Sequence, residues 1–184
     1  MLVYKITAPG LVATKGEKGN FQLQKGFNET PKANCRRNGY HCAENPLDCL
    51  NYYPDVESNE IYLCSAGGDI DEDEYDSKIS CTELTIIRQL SIAEFVAAAL
   101  LYIRKYPNRP THSRVKDMAA AATGGFGIAK GENPKLKAEK VGDVLGFVIK
   151  TANDIKLKVL MADGERIKPG VWYTADGKEF LKNE

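Results

Sequence analysis

One strongly apolar helix, predicted between residues 92 and 105, constrains the fold more than any other feature of the sequence. Ser91 and Glu94 have the spacing of a capping box, in which the two side chains satisfy free amides at the start of a helix. Pro107 prevents the helix from continuing. Apolar residues occupy almost every side of it, and such a helix is normally buried on several sides. We therefore expect this helix to lie at the centre of the fold.

Short elements are predicted before and after this helix. Asn45 and Pro46 predict the start of a short helix. Alternating residues from 60 to 65 predict one strand that ends at the following glycine pair, and residues 80–88 predict a second strand that pairs with it as a hairpin. Strand-like runs between residues 144 and 174 predict a small β unit. The expected fold class is α+β: antiparallel strands around one central buried helix, with a small C-terminal antiparallel β unit.

Prolines within residues 106–113 predict a linker that divides the chain. We expect an α+β domain with an acidic hairpin loop at residues 1–106 and a β-rich C-terminal subdomain at residues 111–184. Between the elements, residues 111–122 fit a short helix, and the glycine-rich residues 121–131 fit tight β-turns. A chain of 184 residues buries roughly two-thirds of its unfolded surface, which is enough for this arrangement.

The sequence predicts a soluble cytoplasmic protein. No stretch approaches the apolar length of a membrane span, and the N-terminal residues lack the core of a signal peptide.

The five cysteines are an odd number, so disulfides are not expected, and reduced thiols or a metal site are the alternatives. An almost fully apolar helix also leaves room for self-association as a homo-oligomer.

Charge is distributed unevenly along a chain whose 25 basic and 25 acidic residues cancel. Residues 43–83 carry twelve acidic residues and one lysine, a net charge of −11, while the segments before and after are basic. Six of the acids fall in the predicted hairpin loop: Asp69, Asp71, Glu72, Asp73, Glu74 and Asp76. This loop either faces water, as charge runs usually do, or imitates the phosphates of a nucleic acid in a basic groove.

The metal-binding patterns in the sequence are incomplete. An EF-hand needs glycine where Glu74 stands and a bidentate glutamate where Ser80 stands, so calcium is not expected. Weak candidates for zinc ligands are Cys35, His41, Cys42 and Cys49. Their thiols are seven residues apart, whereas zinc sites use a spacing of about two to four. His41 and Cys42 are adjacent, which also weakens them as a nucleophile pair. We expect no metal and no cofactor.

A loose basic cluster lies at the end of the apolar helix and beyond it, with Tyr102, Tyr106 and His112 interleaved. Its members are Arg104, Lys105, Arg109, Arg114 and Lys116. These residues either contact phosphates or solvate the helix end and the linker. The glycines within residues 124–127 fit neither a phosphate loop nor a dinucleotide-binding fingerprint.

Two strings of the sequence resemble a family of uncharacterised proteins encoded by phages and prophages of gut bacteria. Residues 38–53 read NGYHCAENPLDCLNYY. The family signature has asparagine-glycine-aromatic-histidine, then asparagine-proline-leucine-aspartate, then asparagine-tyrosine-tyrosine. Residues 163–174, DGERIKPGVWYT, are similar to the closing motif of the same family. The resemblance covers most of residues 25–184, although the chain has few of the turn repeats that members carry between the motifs.

This resemblance implies a small accessory protein that a phage uses against host defences. Some anti-CRISPR inhibitors of Cas9-type nucleases are similar to it in size and charge pattern. The leading hypothesis is a non-enzymatic inhibitor, in the cytoplasm of the host cell, that binds a host nuclease or ribonucleoprotein, or the DNA or RNA that the nuclease engages. The acidic loop would occupy the basic channel of the nuclease, and the basic cluster would contact guide or target phosphates.

Two other classes of protein are compatible with the same residues. One is a nucleotide-processing or protein-modifying phage enzyme with His41 and Glu44 near a cleft, although the sequence has no nucleotide loop or nucleophile arrangement to support it. The other is a structural interaction module. An inhibitor acts in stoichiometric amounts, whereas an enzyme acts in trace amounts, so a dose series separates these classes.

Overall fold

The computed structural model of the protein describes residues 1–15 and 19–180, so the last residues of the predicted C-terminal subdomain lie outside the described part. Strands account for 48% of the described residues and helices for 11%. The predicted α+β class with one central helix is therefore wrong. The protein is mostly β, and its strands form several sheets.

The chain divides into two compact units, residues 1–91 and 92–184. The sequence predicts the division at residues 106–111 instead, which places the apolar helix with the first part of the chain. The helix belongs to the second unit because its neighbours are strands of that unit's sheet. The contacts of the helix, and not the prolines that follow it, therefore determine the unit to which it belongs.

The first unit, in its described residues, contains antiparallel strands and one short 3₁₀ helix. The strands are β1 (Leu2–Thr7), β2 (Val12–Ala13), β3 (Phe21–Gln22), β4 (Gly26–Glu29), β5 (Tyr40–Ala43), β6 (Glu60–Glu72) and β7 (Lys78–Leu90). The main sheet has the order β4-β7-β5-β1-β6, and β6 also pairs with β7. The strands β7, β5, β1 and β6 therefore form a closed ring. β2 and β3 pair separately.

The 3₁₀ helix spans Pro46–Asn51, where the sequence predicts a short helix. The side chain of Asn45 accepts a hydrogen bond from the Leu47 N–H at 3.2 Å and so caps the first turn. Proline suits this turn because its missing N–H would have no partner there. Residues 46–50 are buried, so the helix packs into the first unit.

The hairpin predicted around the acidic residues exists, but its strands are longer than the sequence predicts. β6 continues through Gly67 and Gly68 as far as Glu72. The register between β6 and β7 shifts next to the two glycines, and Gly68 has φ of 65°. A β-bulge thus absorbs the glycines without ending the strand. Asp69, Asp71 and Glu72 therefore lie on a strand and not in a loop, contrary to the prediction.

The second unit, in its described residues, contains one α-helix packed on a mixed sheet. Its elements are α1 (Ile92–Lys105), β8 (Val115–Ala121), β9 (Phe126–Lys137), β10 (Val144–Lys150), β11 (Ile155–Met161) and β12 (Trp172–Thr174). The strand order is β11-β10-β9-β12, and β8 pairs with β9. Because β9 runs parallel to both β8 and β10, the prediction of an antiparallel C-terminal unit is wrong.

Residues 111–122, which fit a short helix by sequence, contain β8 instead. Three alanines of β8 pair with β9, so sheet pairing outweighs the helix propensity of alanine. The glycine-rich segment supplies only the turn before β9, with Gly124 and Gly125 in the left-handed region at φ of 57° and 85°. Most of residues 126–131 are strand and not turns.

The helix α1 has the bounds predicted from the sequence, but it buries only one side. Its buried residues are Phe95, Val96, Ala99, Leu100 and Ile103, whereas Leu101 is 51% exposed. Gly146 on β10 allows the close packing, because a Cβ atom there would lie 2.7 Å from Cγ1 of Val96. The helix therefore covers one face of a sheet. Within the described ranges, no helix is long and apolar enough to cross a membrane.

Candidate anion-binding cleft

A cleft of about 1110 Å³ lies in the first unit. Its basic lining residues are Lys5, Lys15, Arg36, Arg37 and Lys78, and its aromatic ones are Phe21, Tyr40, Tyr52 and Tyr53. Glu29 and Asp48 supply the carboxylates of the described lining. The lining has five basic residues against these two carboxylates, and even with Arg36 and Lys78 paired to Asp73 the positive charges are in excess, so the cleft is cationic in character.

The turn before β5 brings part of this lining into place. Gly39 has φ of 86°, and a Cβ atom at this position would collide with Oγ of Ser80. Ser80 also donates a hydrogen bond to the carbonyl oxygen of Asn38. Only glycine fits both the backbone conformation and the close approach to β7. This explains the glycine in the asparagine-glycine-tyrosine-histidine string and places Tyr40 and His41 on β5.

Lys5 is the most unusual residue of the cleft. Its side chain comes from β1, and the residue is only 8% exposed. The Nζ atom donates a hydrogen bond to the carbonyl oxygen of His41 at 2.6 Å. Within the described part of the chain, no carboxylate lies within ion-pair distance of this ammonium group. A buried charge without an opposite charge is costly, so Lys5 needs an explanation beyond the fold.

Lys78 differs from Lys5 because it has a carboxylate partner. Its Nζ atom lies 3.1 Å from Oδ2 of Asp73 and donates a hydrogen bond to the hydroxyl of Tyr52 at 2.7 Å. Arg36 donates two hydrogen bonds to the same carboxylate, at 2.8 and 3.0 Å. The hydrogen bond from Arg36 holds the pKa of Asp73 well below its usual range. Asp73 thus links the turn before β5 to the start of β7.

His41 lines the cleft as a neutral ring. Burial, followed by the charges of Lys5 and Lys78, lowers its pKa to about 4. Its Nε2 atom accepts a hydrogen bond from the backbone N–H of Arg36 at 2.9 Å. The proton of the neutral ring is therefore on Nδ1. Because the Nε2 lone pair is engaged, His41 is poorly placed to act as a general base.

Aromatic side chains form another part of the lining. Phe21 is 51% exposed, and its ring centroid lies 5.9 Å from that of Tyr40 at a tilted angle. Tyr53 accepts a hydrogen bond from the backbone N–H of Thr14 at 2.8 Å, which fixes its ring in the lining. Nζ of Lys15 lies 5.9 Å from the Tyr53 ring centroid. The lining thus places ring surfaces beside cations.

The six predicted acidic site residues do not form one surface. Asp69, Asp71, Glu72 and Glu74 are exposed, whereas Asp73 and Asp76 are partly buried. Asp76 accepts hydrogen bonds from Asn51 at 3.1 Å and from the Lys78 N–H at 2.8 Å. The sequence does not indicate this difference in exposure, because Arg36, the partner of Asp73, and Asn51, a partner of Asp76, lie far away along the chain.

The four weak metal candidates do not come together as a ligand set. In residues 1–15 and 19–180, no group of three or more histidine, cysteine or acidic side chains is arranged to hold a metal ion. His41 and Cys42 are consecutive on β5 and point to opposite faces. Burial raises the pKa of Cys49 to about 12, so its thiol stays protonated. Cys35 is the partly exposed member, while the other two thiols are buried.

The predicted basic cluster of the second unit is also divided. The Arg109 guanidinium lies 4.6 Å and Lys105 Nζ 4.9 Å from the Tyr106 ring centroid. Arg114 instead stacks 4.3 Å from the Phe126 ring and donates to the carbonyl oxygen of Thr123, and burial lowers its pKa. Arg104 and Lys116 are exposed. Lys105 and Arg109 therefore lie beside the same ring, that of Tyr106, whereas Arg114 packs against a different ring, that of the buried Phe126.

Sequence reasoning missed Lys5 and Lys78, together with the other basic and aromatic residues of the lining: Lys15, Arg36, Arg37, Phe21, Tyr40, Tyr52 and Tyr53. Lys5 stands inside an apolar run, and Lys78 is the single cation within the acidic segment. The apolar run around Lys5 is a usable signal, because lysine is seldom fully buried without a reason, whereas Lys78 precedes the predicted strand at residues 80–88 and has no such signal.

Fold and site together define a mostly β protein with a cationic and aromatic cleft in its first unit. A family described as a domain of unknown function (DUF7666) matches residues 1–98, which include that whole unit. The chain belongs to this family. Comparison with curated proteins and comparison with solved structures each give no match.

Proposed function

We propose that the first unit binds a phosphorylated ligand of the nucleotide class in the cleft. The buried Lys5 ammonium is the observation that carries the proposal. A buried charge that lacks an opposite charge lowers stability, and an anion entering the cleft would supply that charge. The exposed guanidinium of Arg37 adds a fork of donors suited to phosphate oxygens. The Nδ1–H of His41 adds a neutral donor.

The aromatic lining supports a ligand that carries a ring as well as a phosphate. Phe21 exposes about half of its surface, and Tyr40 and Tyr53 lie in the same lining. Aromatic faces beside cations suit a nucleobase, which stacks on rings while its phosphate meets the lysines. Inorganic phosphate alone would not contact the exposed ring of Phe21, so we favour a nucleotide.

We propose binding without catalysis. The Nε2 atom of His41 is engaged by Arg36, and burial raises the pKa of the cleft thiol Cys49 to about 12. Neither group has the properties of an activated base or nucleophile. These observations favour a binding protein over the nucleotide-processing enzyme that is the alternative from sequence.

The test is calorimetric titration of the protein with AMP, ATP and inorganic phosphate. We expect the nucleotides to bind, and Lys5→Met to weaken binding by about tenfold or more, because one charge-assisted hydrogen bond contributes about 1.5–3 kcal/mol. Lys32→Met removes an exposed lysine outside the cleft and serves as the control.

Thermal unfolding adds a second readout to this experiment. Lys5→Met should unfold at the same temperature as the unmodified protein or higher, because it removes an uncompensated charge. A purely structural Lys5 would lower the unfolding temperature when replaced. The proposal fails if no nucleotide binds, or if Lys5→Met binds nucleotides as well as Lys32→Met does.

A second candidate is the phage-encoded inhibitor of host defence, acting in the host cytoplasm on a Cas9-type nuclease, its guide complex or its DNA. The exposed carboxylates of Asp69, Glu72 and Glu74 favour it, because carboxylates at a surface can compete with phosphates for a basic channel. The five free thiols are compatible with a reducing compartment. A structural interaction module and self-association also stay predictions.

Nuclease cleavage assays test the inhibitor proposal. We expect inhibition at a stoichiometric ratio, and we expect its loss when Asp69, Glu72 and Glu74 are replaced together by the matching amides. Asp73 is left unchanged because it holds Arg36 and Lys78. Unchanged inhibition in the triple variant would exclude the acidic mimic.

A further inference from the structure

We infer that the second unit binds single-stranded nucleic acid on an exposed face of its sheet. The face is formed by β8, β9 and β12, and we call it the lysine–tryptophan face. Its residues are Ala119, Ala121, Lys135, Lys137, Trp172, Thr174 and the adjoining Phe180. This inference goes beyond the ligand proposed for the first unit and depends on different residues.

The strand register places these side chains in two rows. Lys135 pairs with Ala119 on one side and Thr174 on the other, and Lys137 pairs likewise with Ala121 and Trp172. Directly paired residues point to the same face of a sheet. The row between them points the other way, since its members Leu136 and Tyr173 are fully buried. The two rows therefore point away from the core of the second unit.

On the β8 side, the lysine–tryptophan face carries only short, solvent-exposed side chains. Ala119 and Ala121 are exposed, and Lys135, Lys137 and Trp172 are partly exposed. Alanine rises little above a sheet, so a flat group has room beside the two lysines. A strand advances about 3.3 Å per residue, so the lysines are about 6.6 Å apart along β9 and can meet different phosphates.

Each lysine of the face lies beside an aromatic ring. Nζ of Lys135 is 3.4 Å from the ring centroid of Phe180, and Nζ of Lys137 is 5.7 Å from that of Trp172. The backbone N–H of Phe180 donates to the carbonyl oxygen of Trp172 at 2.7 Å, which holds the two rings on neighbouring segments. Proteins that bind single strands combine cations for the backbone with rings on which bases stack.

The nearby carboxylates do not cancel this charge. Glu139 lies 3.0 Å from Nζ of Lys137, but its side chain is about half exposed and so is a weak competitor for a phosphate. Asp176 is paired with Lys178 at 3.1 Å and accepts a hydrogen bond from Thr174. Lys135 has no ion-pair partner in the part of the chain that is described. The rings favour a strand with bases over an acidic peptide.

The fluorescence of Trp172 tests the inference directly, because it is the one tryptophan in the sequence. We expect oligothymidine to quench it. Lys135→Gln with Lys137→Gln should weaken binding by about tenfold or more and lower the slope of log affinity against log salt by about 1.4, since each phosphate contact in a single strand contributes about 0.7. The matched control is Lys156→Gln with Lys158→Gln, which removes two exposed lysines at the same spacing on β11.

A second variant separates binding from folding. Trp172→Leu should weaken the binding of a dye-labelled oligothymidine, measured by anisotropy, by about fivefold or more, because one stacked base is lost. Lys5→Met should leave the Trp172 quenching unchanged, so failure of the cleft proposal and failure of this one are distinguishable. The inference is overturned if oligothymidine does not quench Trp172, if both double lysine variants weaken binding equally, or if polyglutamate binds as tightly as oligothymidine.

Discussion

The imidazole Nε2 of His41 accepts a hydrogen bond from the backbone N–H of Arg36 at 2.9 Å. Arg36 has φ of 68°, a left-handed conformation that is uncommon for a residue other than glycine. The turn therefore presents an N–H donor to the ring. A protonated ring has no lone pair on Nε2 and could not accept this hydrogen bond. Local backbone geometry and the buried ammonium groups thus favour the same neutral state of His41.

Stability should fall as the pH drops from about 6.5 to about 4, because the ordinary pKa of His41 is 6.5 and burial lowers it to about 4 in the folded protein. In that interval the unfolded chain binds a proton that the folded protein does not bind, so lower pH favours unfolding. Urea unfolding at a series of pH values measures this. His41→Gln should show a shallower decline, and parallel curves for the two proteins would contradict the assignment.

Asp73→Asn should lower the free energy of unfolding by about 3–5 kcal/mol, because it leaves the buried Lys78 without its carboxylate. The side chain of Asp73 is 1% exposed, and that of Lys78 is 7% exposed. Urea unfolding near neutral pH gives the measurement. Asp69→Asn is the control: this exposed residue should change stability by less than about 0.5 kcal/mol. Equal effects of the two substitutions would mean that the Asp73 pairs contribute nothing.

The parts of the fold that the sequence predicts correctly are specified by neighbouring residues. The cap at Asn45 and the helix Ile92–Lys105 depend on residues within a few positions, and both are confirmed. The cleft depends on contacts between distant residues. Lys5 donates a hydrogen bond to His41, which is 36 positions away in the sequence, and Lys78 donates one to Tyr52, which is 26 positions away. No local pattern specifies such pairs, so Lys5 was not predicted as a site residue.

The errors in fold class have the same origin. An apolar helix predicts burial, but the number of layers that cover it depends on the rest of the chain, and α1 leaves Leu101 half exposed. The alternation of apolar and polar residues along a strand does not indicate the direction in which the strand pairs, so the parallel pairing of β9 with β8 and β10 could not be predicted from it. Gly67 and Gly68 resemble a strand end, yet they form a bulge inside β6 because β7 pairs on both sides of them.

Phe95→Ala and Leu100→Ala should each lower the free energy of unfolding by roughly 3 kcal/mol or more, because each leaves a cavity beneath α1. Both residues are at most 1% exposed, and Phe95 also contacts the Phe126 ring edge to face at 5.9 Å between centroids. Leu101→Ala on the same helix is the control and should cost far less. Chemical unfolding measures all three, and near-neutral values at both buried positions would place the core elsewhere.

Cys35 should be the thiol that reacts with an aromatic disulfide reagent in the folded protein, because it is partly exposed and the other four cysteines are buried. Burial of Cys35 also raises the pKa of its thiol, so the reaction should be slower than that of the unfolded chain. Absorbance of the released thiolate counts one fast equivalent without denaturant and five with it. Cys35→Ser should remove the native equivalent, and reaction of further thiols without denaturant would contradict the burial of Cys42, Cys49, Cys64 and Cys81.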